Sequence, residues 1–511
     1  MAVRVYQPKC HLLLRKNLGR ATVAGNIAAS TRFKGTSREI DLTDFLGDNG
    51  AVVTSKSCRQ PAGMFSVTLA DKMAPDQLES LYGLIEPMDV IEIRMAHDTS
   101  IYAGSLPHHM PMMMRGLVTS IRRGNVMSAD GRPVRAVSIS GQDYGKILQI
   151  MRISYLPNQV TGQLLLSYFK FFANYGVGSE PNKDASTFVK EVVSNVLTPF
   201  LNDMRKAATA SGTAQGITPI QNILVDAKVL GGTISPFGVN QWPGGTVYDL
   251  LQYYGDVGPW NELFVEDRED APYLVYRPNP FQDPAGKFIQ EPYISTSGAR
   301  PAVIVVPDVD LIGEDVGRAD AGVANYYWVD SPSMLLNNGQ TIQASVAFSG
   351  KKDSIFLTDY PNSSPALYGF REMRMHTQQG ARFDGQKEEK FIQETATALG
   401  FVNAKRAILM ASNRDNVVFE DGTLDLRGNE SIRPGTTVRL IRGSDAAGAA
   451  AGKGLASECY AHTVTQQFLP YRTYTTKVQF DRGTGFIQRV QRGTGTNSPY
   501  LSEMSPGGVY A

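Results

Sequence analysis

The stretch Ser431-Ile-Arg-Pro-Gly-Thr-Thr-Val-Arg-Leu440 is a proline–glycine turn followed directly by residues typical of a β-strand. Three short segments lie further along the chain: Glu458-Cys-Tyr460, Tyr474-Thr-Thr476 and Asp481-Arg-Gly483. They indicate two more strands, which end in a second glycine turn. Nothing in this region supplies a nucleophile, a general base or a metal cage. We therefore predict β-structure that builds a surface for other chains.

The composition of the 511-residue chain indicates a turn-rich β protein with about three or four domains. Charged residues make up only 19%, and there are 49 glycines and 28 prolines, which suits a surface partly buried against partners. The 50 basic and 49 acidic side chains nearly cancel. Because electrostatic binding to nucleic acid requires a basic excess, we expect no specific nucleic-acid binding.

The cysteines and the N-terminus bear on cellular location. Cys10, Cys58 and Cys459 are odd in number and far apart, so they predict neither a disulfide framework nor a zinc site. This favours folding in a reducing compartment. The first residues lack the apolar run of a signal peptide, and no apolar stretch is long enough to span a membrane. We expect synthesis in the cytoplasm and no cofactor.

Two regions of alternating hydrophobicity flank a helical centre. In the first region, runs such as Phe65-Ser-Val-Thr-Leu69 predict half-buried strands. In the centre, apolar residues recur every three or four positions from 188 to 204, which predicts an amphipathic helix kinked or broken near Pro199. Further helices are predicted at residues 246–254 and 386–399, and further strands at 303–306 and 325–329. Two related barrels split by insertions would account for this pattern.

The segment Pro107-His-His-Met-Pro-Met-Met-Met114 is a candidate soft-metal site, because thioether and imidazole groups favour copper or zinc. However, adjacent histidines on a strand point to opposite faces, and no acidic or cysteine partner is near in sequence. A methionine-rich loop that packs on another subunit is the favoured interpretation, and we predict no metal.

An acidic run follows Trp260 and comprises Glu262, Glu266, Asp267, Glu269 and Asp270. Two carboxylates held at a suitable separation can hydrolyse a glycosidic bond. These five residues share one short segment, whereas glycosidase carboxylates normally come from separate elements that flank the sugar. A solvated turn is therefore the favoured interpretation.

The remaining candidate catalytic groups are isolated. His376 and His462 are single histidines in predicted strands, which favours core or interface positions over a role as a base. The chain contains no nucleophile elbow, no zinc-protease helix motif and no phosphate-binding loop. We therefore predict that the protein is not an enzyme.

Several motifs, in the same order along the chain, resemble the hub proteins of phage tails, the group that includes late-control D proteins and type VI secretion VgrG proteins. Each motif alone is weak, and their collinear order over residues 65–483 is more specific. They are Phe65–Leu69, Ile85-Glu-Pro-Met-Asp-Val-Ile-Glu-Ile93, Arg115-Gly-Leu-Val-Thr-Ser-Ile121, Val137-Ser-Ile-Ser-Gly-Gln-Asp-Tyr144, Pro259-Trp-Asn-Glu-Leu-Phe264, Tyr276-Arg-Pro-Asn-Pro-Phe281, Tyr368-Gly-Phe-Arg-Glu372, Ile432-Arg-Pro-Gly435, Glu458–Tyr460 and residues 474–483.

The resemblance implies an α+β, β-dominated fold with two tube-like β-barrel domains and helical and α/β insertions. It also implies a homotrimer with pseudo-sixfold symmetry in the virion baseplate, which joins the hexameric tail tube to the central spike and leaves a channel for DNA ejection. Its implied partners are the tail tube protein, the spike protein, baseplate wedge proteins and, as a further candidate, the tape measure protein. A tail-associated enzyme that degrades cell walls or glycans is the alternative.

The resemblance and the periodicity together predict six regions. These are an N-terminal region with the first barrel (1–147), a mostly helical α/β domain (148–300), the start of the second barrel (301–372), a small inserted α/β domain (373–424), the completion of the second barrel (425–485) and an extended tail (486–511). Candidate subunit-interface residues are Met112, Met113, Met114, Tyr326, Tyr327 and Trp328, all of which could equally belong to a core.

Overall fold

The computed structural model describes residues 7–17, 39–71, 80–99, 102, 110–127, 133–153, 183–209, 220–229, 232–234, 245–289, 301–331, 334–335, 341–342, 345–346, 361–380, 391–442 and 455–487. β-Strands dominate this part of the chain, in agreement with the predicted β-dominated class. Among its helices, none combines the length and apolar character needed to cross a membrane.

The strands divide into three groups along the chain. The first group is β1 (Lys9–Arg15), β2 (Glu39–Asp41), β3 (Ala51–Ser57), β4 (Met64–Ala70), β5 (Val90–Ala96), β6 (Met112–Met127), β7 (Pro133–Asp143) and β8 (Arg152–Ile153). The central group is β9 (Lys183–Asp184), β10 (Leu224–Ala227), β11 (Thr233–Ile234), β12 (Gly245–Thr246), β13 (Asn261–Asp267) and β14 (Pro272–Pro278). The last group is β15 (Val303–Pro307), β16 (Leu311–Gly317), β17 (Tyr326–Asp330), β18 (Met334–Leu335), β19 (Thr341–Ile342), β20 (Ser345–Val346), β21 (Glu372–His376), β22 (Glu420–Arg427), β23 (Thr436–Arg442), β24 (Leu455–Leu469) and β25 (Thr473–Gly483).

The helices lie mainly in the centre of the chain and in one long segment before β22. They are α1 (Leu81–Leu84), α2 (Gly145–Ile150), α3 (Ala185–Val192), α4 (Thr198–Thr209), α5 (Val247–Tyr254), α6 (Pro365–Tyr368) and α7 (Phe391–Asn413). Short 3-10 turns lie at Thr43–Phe45, Asp308–Asp310 and Pro361–Ser363.

One sheet of 13 strands joins the two regions of predicted alternation. Its main path runs β16-β22-β25-β24-β3-β4-β7-β6-β5-β1-β2, and β23 and β15 extend it beside β24. The two regions meet where β24 pairs antiparallel with β3, from Thr463 opposite Ser57 to Phe468 opposite Val52. We call this strand pair the β24–β3 seam. Backbone hydrogen bonds therefore hold both regions in a single sheet.

The expected pair of barrels is not seen as two closed sheets, because no sheet formed by the described strands closes on itself. The reason lies in β24, which has 15 residues, pairs with β25 along one edge and has two partners in succession along the other. Its first part pairs with β23 and its last part with β3, so that it belongs to both halves. Each half packs its own apolar core, around Leu12, Val67, Ile93 and Ile139 in one and Leu426, Val438, Leu440 and Val478 in the other.

The central segment forms a separate layer of helices and strands. Strand β14 pairs antiparallel with β13 and parallel with β10. Helix α3 begins at Asp184, whose carboxylate accepts a hydrogen bond from the Thr187 amide at 2.9 Å, and α5 begins with a capping box formed by Thr246 and Asp249. The apolar faces of these helices meet where the rings of Phe188 and Tyr254 contact edge to face at 5.5 Å.

The interruption predicted near Pro199 is confirmed. A π-helical segment, Val193–Leu197, separates α3 from α4, and Pro199 is the second residue of α4. Proline cannot donate a backbone hydrogen bond and its ring clashes with the preceding turn of an α-helix. The wider π-helical turn before Pro199 accommodates both the missing hydrogen bond and the bulk of the proline ring. Val193, Val196 and Leu197 in this turn remain buried.

The long helix α7 extends beyond its predicted end at residue 399, to Asn413. Gly400, which directly follows the predicted end, lowers the helix propensity there. Tertiary packing overrides this preference, because Val402 and Leu409 contact the buried Tyr327 and Val329 of β17 in one apolar cluster.

The contact between β6 and β7 leaves no room for side chains at Gly141. A Cβ atom there would lie 2.2 Å from the Leu117 carbonyl oxygen and 2.4 Å from the Phe65 ring. We expect Gly141→Ala to lower the free energy of unfolding by about 1–3 kcal/mol, because the core must shift. Gly124→Ala is the matched control, since its Cβ would meet nothing within 4 Å. Urea unfolding followed by circular dichroism tests this, and equal midpoints for both variants would contradict it.

Candidate functional site

The acidic run, which the sequence predicts to be a solvated turn rather than a catalytic carboxylate pair, lies on β13 and the turn that follows it. Strand β13 pairs with β14 throughout, from Asn261 opposite Pro278 to Asp267 opposite Pro272. Glu262 and Asp267 are 4% and 3% exposed, so the interpretation as a solvated turn is wrong for these two residues. Buried carboxylates require cations or hydrogen-bond donors, and the structure supplies both from distant parts of the chain.

Asp267 lies at the centre of a buried charge cluster with Lys56 and Asp143. The Lys56 ammonium lies 2.6 Å from the Asp267 carboxylate and 3.2 Å from that of Asp143. Asp267 also accepts a hydrogen bond from the Arg115 backbone amide at 3.0 Å. Strands β3 and β6 of the large sheet therefore contact the end of β13 directly, and β7 joins the cluster through Lys56.

The charges in this cluster influence one another strongly. Burial opposes the positive charge of Lys56, but the carboxylates of Asp267 and Asp143 outweigh burial and raise its pKa. Burial raises the pKa of Asp143, and Lys56 counteracts only part of this effect. The lysine therefore stays charged, and it compensates two carboxylates in the low-dielectric interior.

Glu262 forms a second cluster at the opposite end of β13. Its carboxylate accepts hydrogen bonds from the Tyr460 hydroxyl at 2.5 Å and from Arg277 Nε at 3.1 Å. Arg277 also donates to the Gly435 carbonyl at 2.9 Å. Gly435 belongs to the proline–glycine turn and has a φ of +79°, a conformation that favours glycine. The turn before β23 is thus tied to the central layer.

The remaining acidic side chains of the run are also paired. Glu269 contacts Arg94 at 2.7 Å and accepts from the Met112 amide at 2.9 Å. Burial alone would raise the pKa of Glu269, but these two donors outweigh burial and lower it. Glu266 pairs with Arg268 at 2.7 Å, and the Tyr273 hydroxyl donates to Asp270 at 2.8 Å.

This arrangement is suited to holding layers together. Each of the five carboxylates has a cation or a hydrogen-bond donor as its partner, and three of them contact the large sheet. In the part of the chain that the structure describes, no group of three or more His, Cys, Asp or Glu side chains is placed to hold a metal ion. We call this set of contacts along β13 the acidic junction.

A cavity of about 560 Å³ opens beside Glu262, where the central layer, the sheet and the segment after α7 meet. Arg482 borders it, and burial lowers the pKa of this residue to about 10. Its guanidinium donates to the Ser412 carbonyl at 2.6 Å and to the Gln282 carbonyl at 3.0 Å. These contacts join three separate segments around the cavity.

The six candidate interface residues fall into two groups. Met112, Met113, Met114 and Tyr327 are buried within the chain itself, and Met113, Met114 and the Tyr327 ring pack in its own apolar cores. Tyr326 and Trp328 are half-buried on the opposite face of β17, with Arg374 4.4 Å from the centre of the Trp328 ring. An interface role for these two residues remains a prediction.

Four histidines are candidate metal ligands or bases in the sequence. His108 and His109, the candidate metal ligands, lie outside the described residues. His376 is largely exposed and its Nδ1 lies 3.4 Å from the Asp330 carboxylate. His462 lies on β24, where its backbone carbonyl accepts from the Cys58 amide at 2.9 Å. Burial, followed by the nearby Arg59, lowers the pKa of the His462 imidazole.

No protein-family model matches this sequence, and no curated protein matches it. Among solved structures, the chain is similar to a tail protein from Neisseria meningitidis MC58, at 11% identity and a TM-score of 0.44, over 93% of this chain and 97% of that one. It is similar to a 43 kDa tail protein of prophage MuSo2 from Shewanella oneidensis, at 11% identity and a TM-score of 0.44, over 94% and 99%. A third is prophage tail protein gp18 from Listeria monocytogenes EGD-e, at 9% identity and a TM-score of 0.39, over 92% and 94%. At these values the similarities transfer neither a function nor a partner to this chain.

Removal of the Lys56 ammonium should weaken the acidic junction. We expect Lys56→Met to lower the free energy of unfolding by about 3–5 kcal/mol, because it leaves two buried carboxylates without their cation. Addition of Asp267→Asn to this variant should recover part of the loss. Chemical denaturation measures both effects, with Lys190→Met, at an exposed lysine, as the control. A loss for Lys56→Met no larger than that of the control would contradict this assignment.

The partly buried imidazole of His462 predicts a pH dependence of the stability. Its pKa in the folded chain lies below the ordinary value of 6.5, so the unfolded chain takes up a proton at a higher pH than the folded chain does. The free energy of unfolding should therefore fall as the pH drops from about 7.5 to about 5.5. His462→Asn should show a smaller fall over the same interval. An identical pH dependence in both proteins would rule out His462 as its source.

Proposed function

We propose that this chain is a structural subunit of a phage-tail baseplate hub. Three copies would form a ring of pseudo-sixfold symmetry between the hexameric tail tube and the central spike, with a channel for DNA ejection. Besides the other copies, the partners would be the tail tube protein, the spike protein, baseplate wedge proteins and the tape measure protein. The protein would act in the virion after assembly in the host cytoplasm.

The observation that carries this proposal is the β24–β3 seam. Two β regions that are far apart in sequence share one sheet, and each packs its own core. Such a chain presents two β modules in a fixed relation, and a trimer in which both modules contribute to the ring would have six modules around its axis. The collinear motifs that resemble hub proteins agree with this, since Phe65–Leu69 lies in β4 and Val137–Asp143 in β7.

The contacts of the acidic junction favour a structural function over a catalytic one. A glycosidase needs one carboxyl group that stays protonated and a second that is free to attack or activate water. Here Glu262 is held by Arg277 and Tyr460, while Asp267 is held by Lys56. We therefore favour the structural function over cell-wall or glycan degradation. Tyr326 and Trp328 are proposed as subunit contacts, because their rings lie on the accessible face of β17.

The proposal predicts a defined assembly and location. We expect the purified chain to sediment as a trimer of 55.8 kDa subunits, and gold-labelled antibodies to bind at the end of the tail of intact virions. A monomer that clears a suspension of purified peptidoglycan, and loses this activity in Glu262→Gln, would support the enzyme instead. Absence of the chain from purified virions would overturn the proposed function.

A further inference from the structure

The hairpin of β6 and β7 extends beyond its neighbouring strand and carries positive charge. Strand β5 pairs with β6 only as far as Leu117, whereas β7 continues to pair with β6 as far as Met127. We call residues 119–127 and 133–138 the basic arm. They contain three arginines and no acidic residue, and the exposed residues Arg122, Arg135 and Met127 lie on it. Arg123 is already paired with Asp71 at 2.8 Å.

The arm also has an open edge. In the part of the chain that the structure describes, β6 beyond Val118 has β7 as its only partner strand. Among the described strands, none takes up the backbone N–H and C=O groups on the other edge of this part of β6. An open edge next to positive charge can accept a further strand that carries negative charge.

A second open edge lies at the other end of the sheet and has the opposite charge. Among the described strands, β15 pairs only with β23 and β16 only with β22. We call residues 303–317 the acidic edge. They contain four carboxylates and no basic residue. Val305, Val309 and Ile312 are 51%, 77% and 61% exposed, so the edge is apolar as well as acidic.

We infer that the basic arm of one copy docks along the acidic edge of the next copy. The inference rests on the proposed ring, and it names the surfaces that form the contact. Opposite charges give attraction and orientation, and the exposed valines and isoleucine can bury apolar area against Met127. Within one chain, β15 lies six and β16 seven strand steps from β6 in the sheet order, and neither pairs with it. A contact between two different surfaces is heterologous, and such contacts generate a closed ring when the rotation from one subunit to the next closes.

Charge reversal in a single chain tests this directly. The arm variant carries Arg122→Glu and Arg135→Glu, while the edge variant carries Asp308→Lys and Asp315→Lys. These four residues are exposed, and the arm variant spares Arg123, which has its own internal partner. A combined variant carries all four changes, and Lys190→Glu is the control for charge reversal at an exposed site. Sedimentation velocity over a range of concentrations, at low and high salt, measures assembly, and circular dichroism checks that each variant is folded.

We expect the arm and edge variants each to raise the concentration needed for assembly by about tenfold or more, and the combined variant to restore it, because the charges are again complementary. High salt should weaken assembly of the unaltered chain. Folded single-surface variants that assemble normally, or a combined variant that does not recover, would overturn the contact. A chain that stays monomeric at all concentrations would overturn it too. If the variants change assembly as expected but the chain is absent from virions, the contact between the basic arm and the acidic edge would be supported. The proposed function as a baseplate hub would be overturned.

Discussion

A single buried ammonium group fixes how the layers of this protein are arranged. Lys56 comes from β3, within the β24–β3 seam, and its two carboxylate partners come from the ends of β7 and β13. An ammonium that reaches both Asp143 and Asp267 permits little freedom in the relative position of these three strands. If the central layer slid by one residue along the sheet, a carboxylate would be buried without compensation, at a cost of several kcal/mol. The cluster therefore selects one docking geometry.

Buried ion pairs contribute less to stability than to the choice of arrangement. Desolvation cancels much of the attraction between the charges, so that apolar residues of similar size could give equal or greater stability. Apolar residues, however, would not impose a large energetic cost when β13 docks on the sheet in the wrong register. In this chain Asp267 and Glu262 set the register at the two ends of β13, and the cation–π contact between Arg277 and Phe264 lies between them, at 5.4 Å. The central layer is thus fixed at two points and cannot pivot.

The local elements followed from the sequence, and the long-range partners did not. Alternation in Phe65–Leu69 identified β4, and the break near Pro199 followed from proline chemistry. The acidic run was misjudged because its cations lie far away in sequence, with Lys56 separated from Asp267 by 211 positions. Composition also could not reveal that β24 pairs with two strands in succession. That outcome depends on strand length and on a bulge between Ala461 and Thr463, which single-strand patterns do not encode.

The fixed packing of the central layer on the sheet bears on how the basic arm and the acidic edge select their partner surfaces. Edge strands that are apolar and unpaired invite indiscriminate pairing, and proteins counter this with charge. Here the two open edges carry opposite charges, so that each repels a copy of itself and attracts the other. Such a pattern disfavours symmetric dimers and favours head-to-tail association. Head-to-tail association closes at a fixed copy number only if the angle between the edges is constant, and the acidic junction and the seam supply that constancy. The buried charges inside one subunit would in this way determine how many subunits a ring contains.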